Sequence, residues 1–110
     1  MPTRVDTTHE FDKEIERLAR KYPSVFDAVD ELIAQTEDDL RPGSRVPGVG
    51  AVVYKARLPN RSARRGRRGG FRVIYYLQFP DAVFLLTIYS KTENDSISNA
   101  EIRRIINTVT

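Results

Sequence analysis

Two apolar, β-prone runs limit the fold of this chain more than any other feature: AVVYKARL, residues 51–58, and FRVIYYLQF, residues 71–79. In both runs, apolar side chains recur at every second position, as is typical of strands with one buried face. A third run, residues 82–91, follows a tight turn signal at Pro80-Asp81. The three runs predict an antiparallel meander, and the Arg- and Gly-rich segment between the first two predicts a loop.

The N-terminal third of the chain has helical periodicity. A short strand is predicted at residues 3–7, and a helix follows it, with Thr7 and Glu10 in capping-box spacing and Pro23 as the stop signal. The apolar face of this helix is formed by Phe11, Ile15, Leu18 and Ala19.

Two further helices are predicted. One begins at Ser24 and ends near Leu40, with apolar residues on one face and carboxylates largely on the other. The other is short and begins near the C-terminus, where Ser98 and Glu101 again have capping-box spacing. The chain is therefore expected to be an α+β domain: an antiparallel sheet with two N-terminal helices packed on one face and a short C-terminal helix.

Strand alternation divides the predicted sheet into two unlike faces. The apolar face should pack against the two N-terminal helices. Its predicted members are Val52, Tyr54, Ala56, Leu58, Phe71, Val73, Tyr75, Leu77, Phe79, Phe84, Leu86 and Ile88. The opposite face gathers Lys55, Arg57, Arg72, Tyr76, Tyr89 and Lys91.

Charge is segregated along the chain, although the formal net charge is only +3. Of the 15 acidic residues, 11 precede residue 40, whereas residues 40–80 contain ten Lys or Arg and no carboxylate. Crowded cations repel one another, so their density indicates an anionic ligand, with nucleic acid as the leading candidate. A solvated loop is the alternative explanation. The densest part, residues 54–76, contains Lys55, Arg57, Arg61, Arg64, Arg65, Arg67, Arg68 and Arg72.

Composition excludes several kinds of site. A length of 110 residues suits one domain, predicted to span residues 1–110. Cysteine is absent and the carboxylates form no ligand-like pattern, so we expect neither a metal site nor a cofactor. His9, the single histidine, is interpreted as a surface residue at a helix start. No run is long enough to span a membrane, and the N-terminus lacks a secretory signal, so we expect a cytoplasmic protein without membrane partners.

Three motifs follow one another along the predicted strands: VYKARL, GGFRVIYY and LLTIYSKTENDSIS. Together with the order of elements, they resemble the RelE and HigB toxins of bacterial type II toxin–antitoxin systems, in the RelE/ParE superfamily. The resemblance covers nearly the whole chain. It implies a ribosome-dependent mRNA endonuclease, whose partners are the ribosome and mRNA. A cognate antitoxin would hold the enzyme inactive. Association with DNA would occur only through that antitoxin.

The resemblance also implies a basic catalytic set, and general chemistry suggests roles within it. The set comprises Lys55, Arg57, Arg72 and Tyr89 or Lys91. Cleavage by the RNA 2′-hydroxyl needs a proton acceptor, cationic stabilisation of the transition state and a proton donor. Arg72 is predicted to hold the scissile phosphate, because its planar fork engages two oxygens. Lys55 is the predicted acceptor, since cations such as Arg57 disfavour a further positive charge on it. Tyr89 or Lys91 is the predicted donor.

Binding of the RNA strand is assigned to the remaining cations and one tyrosine: Arg61, Arg64, Arg65, Arg67, Arg68 and Tyr76. Two other functions stay open. A ParE-like inhibitor of DNA gyrase would use the same scaffold without needing the strand cations. A plain RNA-binding module would use the arginines without a catalytic tyrosine or lysine.

Overall fold

The computed structural model describes residues 3–62, 70–94 and 96–110. In chain order, the elements of these residues are β1 (Arg4–Thr7), α1 (His9–Lys21), α2 (Val25–Glu37), β2 (Ser44–Arg45), β3 (Val53–Leu58), β4 (Phe71–Gln78), β5 (Ala82–Ser90) and α3 (Asn99–Ile106). The strands form one sheet in the order β1-β5-β4-β3-β2. No helix in these ranges has the length and apolar character that a membrane crossing requires.

Pairing within the sheet confirms the predicted α+β fold. β3, β4 and β5 are successive antiparallel neighbours, as expected for a meander. β1 pairs with β5 in parallel, so the sheet is mixed, although most of its pairs are antiparallel. β2 was not predicted, because a strand of two residues is too short to show alternation.

The first helix begins one residue later than the capping box suggested. Thr7 is still part of β1, and its hydroxyl donates to the Asp12 carboxylate at 2.6 Å. Thr8 is the N-cap: its hydroxyl oxygen accepts from the amide of Phe11 at 3.0 Å and also donates to the carbonyl of Leu86 at 2.6 Å. The buried Thr8 hydroxyl therefore both caps α1 and joins it to β5.

The start of α2 also differs from the prediction. Ser24 is the N-cap residue, but its side chain makes no capping bond. Its hydroxyl instead accepts from the amide and the hydroxyl of Ser62, at 3.1 and 2.7 Å, in the turn after β3. The helix ends at Glu37 rather than near Leu40. The predicted cap of α3 is confirmed, because Ser98 accepts from the amide of Glu101.

The main core lies between the sheet and the two N-terminal helices, as predicted. It joins helix residues such as Phe11, Leu18 and Leu32 to strand residues such as Val73 and Tyr75, all of them at most 2 % exposed. Burying each large side chain contributes roughly 1.5–3 kcal/mol. The packing of α1 and α2 therefore fixes which strand face remains available for function.

A second core on the opposite face overturns part of the predicted alternation. Phe84 and Leu86 were expected to face α1 and α2, but both lie in a cluster covered by α3. The cause is a β-bulge: Ile74 lies opposite Thr87, whereas its neighbour Tyr75 lies opposite Leu85. Leu86 is therefore an extra residue, and alternation reverses on passing it.

The bulge changes which β5 residues belong to each core. Before it, Val83 and Leu85 face the two N-terminal helices; after it, Ile88 does. Phe79, also expected in the core, is 75 % exposed because β4 ends at Gln78. The second core comprises Val49, Val53, Ile74, Leu86, Tyr89, Ile102, Ile105 and Ile106.

Gly43 is required where the chain passes close to strand β3, directly before β2. Its φ is +95°, and a Cβ atom there would lie 2.2 Å from the carbonyl oxygen of Lys55. We expect Gly43→Ala to lower the free energy of unfolding by about 2–3 kcal/mol, through both backbone strain and this contact. Gly50→Ala is the matched control, because Gly50 has φ +83° but a Cβ atom there would meet no other described part of the chain within 4 Å. If urea melts showed the same loss of stability for both variants, the contact with Lys55 would not explain the effect of Gly43→Ala.

Candidate active site

One row of three residues crosses the central strands near their ends. Arg57 of β3 lies opposite Arg72 of β4, and Arg72 lies opposite Tyr89 of β5. Directly opposite residues of antiparallel strands share one face of the sheet. The predicted grouping of these three residues is therefore present in the fold, and we refer to them as the Arg57–Arg72–Tyr89 row.

The two arginines of the row create an electropositive site. Arg57 is exposed, whereas Arg72 is half-buried and its Nη1 donates to the carbonyl oxygen of Phe71 at 3.2 Å. Burial lowers the pKa of Arg72, and the charge of Arg57 lowers it further. Like charges directly opposite each other destabilise a sheet, so an anion placed between them would relieve the repulsion.

Tyr89 is more deeply buried than its place on the predicted polar face suggested. It is 6 % exposed and packs in the second core with Ile74 and Ile102. Among the described residues, its hydroxyl is a buried polar group without a hydrogen-bond partner. Burial raises the pKa of Tyr89, while the charge of Arg72 opposes that rise. The hydroxyl therefore stays protonated at neutral pH, on the strand position directly opposite Arg72.

Lys55 and Lys91 lie on either side of the row. Lys55 is exposed on β3 and is two residues from Arg57, about 7 Å along the strand. Its partners across the neighbouring strands are Ile74 and Ser44. Lys91 is half-buried directly after β5, and its amide donates to the carbonyl oxygen of Gly70 at 3.1 Å. The two lysines therefore flank the row along the direction of the strands.

Gly70 allows the strand ends to come together at this site. Its φ is +69°, and a Cβ there would lie 2.5 Å from the carbonyl oxygen of Leu58 and 3.5 Å from Nη1 of Arg72. A larger residue would therefore push against β3 at the position where Arg72 is held.

Other predicted site residues lie apart from the row. Tyr76 is half-buried, stacks on Phe84 with ring centroids 6.5 Å apart, and is separated from Arg72 by about 13 Å along β4. Arg61 is exposed in the turn after β3, in a groove shared with α2. The four loop cations Arg64, Arg65, Arg67 and Arg68 lie outside the described residues.

His9 is the first residue of α1 and is exposed, which confirms its predicted position. Within residues 3–62, 70–94 and 96–110, no group of three or more His, Cys, Asp or Glu side chains is arranged to hold a metal ion.

Two features of the site were missed by the sequence interpretation. The first is the packing of α3 against Tyr89, for which the apolar spacing of Ile102, Ile105 and Ile106 gave a helix but no partner face. The second is the groove between α2 and β3. Its helical side consists of Ala28, Glu31, Leu32 and Gln35. Residues spaced by three and four share one face of a helix, so the sequence already indicated that these four lie together on α2.

Comparison with known proteins identifies the family of the chain. Residues 6–109 match the family described as the RelE toxin of the RelE/RelB toxin–antitoxin system. A comparison with curated proteins gives no match.

Proposed function

Because the chain belongs to the RelE toxin family, we propose that this toxin of a toxin–antitoxin system is a ribosome-dependent mRNA endonuclease. The observation that carries the proposal is the Arg57–Arg72–Tyr89 row, which places two cations beside a buried hydroxyl that has no hydrogen-bond partner within the described ranges. Such a group binds a phosphate and retains a proton donor next to it.

The proposed reaction uses the nucleophile that RNA itself carries. In its neutral amine form, Lys55 accepts the proton of the 2′-hydroxyl, whose oxygen attacks the adjacent phosphorus. The bond from phosphorus to the 5′-oxygen breaks, giving a 2′,3′-cyclic phosphate and a 5′-hydroxyl. Arg72 and Arg57 stabilise the charge that builds on the phosphoryl oxygens, and Tyr89 or Lys91 protonates the departing oxygen.

The assignment of the proton donor depends on burial. Tyr89 is 6 % exposed and its pKa is raised, so the hydroxyl keeps its proton until a stronger base is present. The departing 5′-oxygen is such a base, and removing it from water strengthens the transfer. We therefore favour Tyr89 as the donor, with Lys91 as the alternative.

A cognate antitoxin is the proposed inhibitor, and the cytoplasm, where translating ribosomes are found, is the proposed location. An acidic antitoxin segment would be attracted to the arginines by complementary charge. Any contact with DNA is assigned to the antitoxin rather than to this chain.

Mapping of mRNA ends tests the activity directly. The chain is expressed under tight control, with and without its antitoxin, and 5′ ends of cellular mRNA are mapped. We expect new ends at defined codon positions, which are lost on co-expression of the antitoxin. Growth arrest without such ends, accompanied by inhibition of DNA gyrase, would instead indicate the ParE-like function. RNA binding with neither effect would indicate a plain binding module.

The arginine-rich segment is proposed to act through general electrostatics. Changing Arg64, Arg65, Arg67 and Arg68 together to Ser should weaken binding to ribosomes and flatten its salt dependence. Each lost phosphate contact removes roughly 0.7–0.9 from the slope of log affinity against log salt concentration. Sedimentation binding assays at several salt concentrations measure that slope. An unchanged slope would show that these arginines do not contact phosphate.

A further inference from the structure

A groove separates helix α2 from strand β3 next to the Arg57–Arg72–Tyr89 row. Its volume is about 140 Å³, and it is lined by Ala28, Glu31, Leu32, Gln35, Arg57, Leu58, Pro59 and Arg61. Drug-sized ligands need roughly 300 Å³ or more, so this groove suits a single planar ring system. Arg57 belongs both to the groove and to the Arg57–Arg72–Tyr89 row, which makes the two sites continuous.

The groove lies open because the strand β2 covers only part of the β3 edge. β2 pairs with Tyr54 and Lys55, and in the described part of the chain no strand pairs with the following residues of β3 on that side. Leu32 and Leu58 are buried and form an apolar floor. The rim carries polar groups of two kinds: the carboxylate of Glu31 and the amide of Gln35 on α2, and the two arginines on the β3 side.

We propose that this groove binds one nucleobase of the RNA strand whose phosphate lies at the row, and that Glu31 reads its edge. This inference rests on the proposed endonuclease function. Arg57 and Arg61 would hold the phosphates on either side of the bound nucleotide, since both are exposed arginines at the rim. The apolar floor receives the ring, and the carboxylate accepts a hydrogen bond from an exocyclic amino group.

The mixed charge of the rim favours a nucleotide over an acidic antitoxin peptide. The arginines attract either ligand, but Glu31 repels a carboxylate that enters the groove. A base with an exocyclic amino group, which means adenine, cytosine or guanine, complements that carboxylate instead, while its phosphates stay with the arginines. The groove therefore predicts that uracil is disfavoured against the other three bases at one position relative to the cut.

The test compares cleavage preferences of variants in a cell-free translation reaction. Each variant is added to ribosomes translating an mRNA library randomised around one codon, and cleaved ends are sequenced. Glu31→Ala removes the proposed acceptor, and Glu31→Gln keeps an uncharged one. Asp30→Ala is the matched control, because Asp30 is an exposed carboxylate on the same helix but does not line the groove. Thermal melts establish that each variant is folded.

We expect the wild type and Asp30→Ala to disfavour uracil against adenine, cytosine and guanine at one position by about ten-fold, near the lower range for a specific base contact. Glu31→Ala should cleave without that preference, and Glu31→Gln should retain part of it. If the wild type cleaves and Glu31→Ala keeps the same preference, base reading by Glu31 is wrong while the endonuclease function stands. If Glu31→Ala alters only neutralisation by the antitoxin, the groove binds peptide and the proposal fails. Absence of cleavage by the wild type would overturn both proposals.

Discussion

Replacing Arg72 by Ala should reduce mRNA cleavage by about 10²–10³-fold or more, the effect of losing one preorganised donor to a developing oxyanion. Arg72 is central in the Arg57–Arg72–Tyr89 row, because it lies opposite Arg57 on one neighbouring strand and opposite Tyr89 on the other. Its partly desolvated charge, reflected in a lowered pKa, interacts more strongly with a phosphate than a fully hydrated cation would. Cleavage is measured by the yield of mapped mRNA ends at equal toxin concentration.

The fold should survive this change. Arg72 is half-buried, so some packing of its aliphatic stem is lost, but removal of one of two opposed arginines also relieves repulsion. We expect the melting temperature to change by only a few degrees. Arg20→Ala is the matched control, because Arg20 is an arginine on α1 outside the row. Arg72→Lys keeps the positive charge but lacks the planar guanidinium, so its cleavage activity should lie between those of the wild type and Arg72→Ala. Full activity of Arg72→Ala would show that Arg72 does not hold the phosphate.

The sequence predicted the basic face because its residues lie where alternation is undisturbed. Lys55 and Arg57 alternate regularly on β3, and Arg72 stands near the start of β4, before the bulge. Tyr89 follows the bulge on β5, where its regular alternation with Ile88 placed it correctly on the face of Arg72. The same counting failed for Phe84 and Leu86. A bulge arises from the pairing of two strands, so it cannot be recognised in the hydrophobic pattern of one strand.

The role of α3 was not predictable in the same way. Its three isoleucines identify an amphipathic helix, but several apolar surfaces compete for such a helix. The structure places them over Ile74, Leu86 and Tyr89, which turns part of a predicted polar face into a second core. Burial of Tyr89 and the lack of a partner for its hydroxyl among the described residues follow from that packing. They became visible only once β4, β5 and α3 were assembled, because the pattern of each element alone does not show which surface it covers.

Tyr89→Phe should separate a chemical role of the hydroxyl from a packing role of the ring. A buried hydroxyl without a partner costs roughly 1–3 kcal/mol, so removing it should leave the free energy of unfolding unchanged or raise it by about 1 kcal/mol. Phenylalanine fills the same space between Ile74 and Ile102. If the hydroxyl donates the proton to the leaving oxygen, cleavage should fall by about 10²–10⁴-fold, as expected for loss of a general acid. Chemical denaturation and mapped mRNA ends give the two quantities on one preparation.

A loss of activity in a protein of equal or greater stability is difficult to explain by packing, and this makes the variant informative. Tyr54→Phe is the matched control, since it removes a tyrosine hydroxyl from the opposite face of the sheet, where the Tyr54 ring stacks on Tyr75 with ring centroids 5.4 Å apart, and it should leave cleavage unchanged. Lys91→Ala decides between the two candidate donors. If Tyr89→Phe cleaves normally and Lys91→Ala does not, the lysine protonates the leaving oxygen. The buried hydroxyl of Tyr89 would then be a cost of covering the sheet with α3, without a part in the reaction.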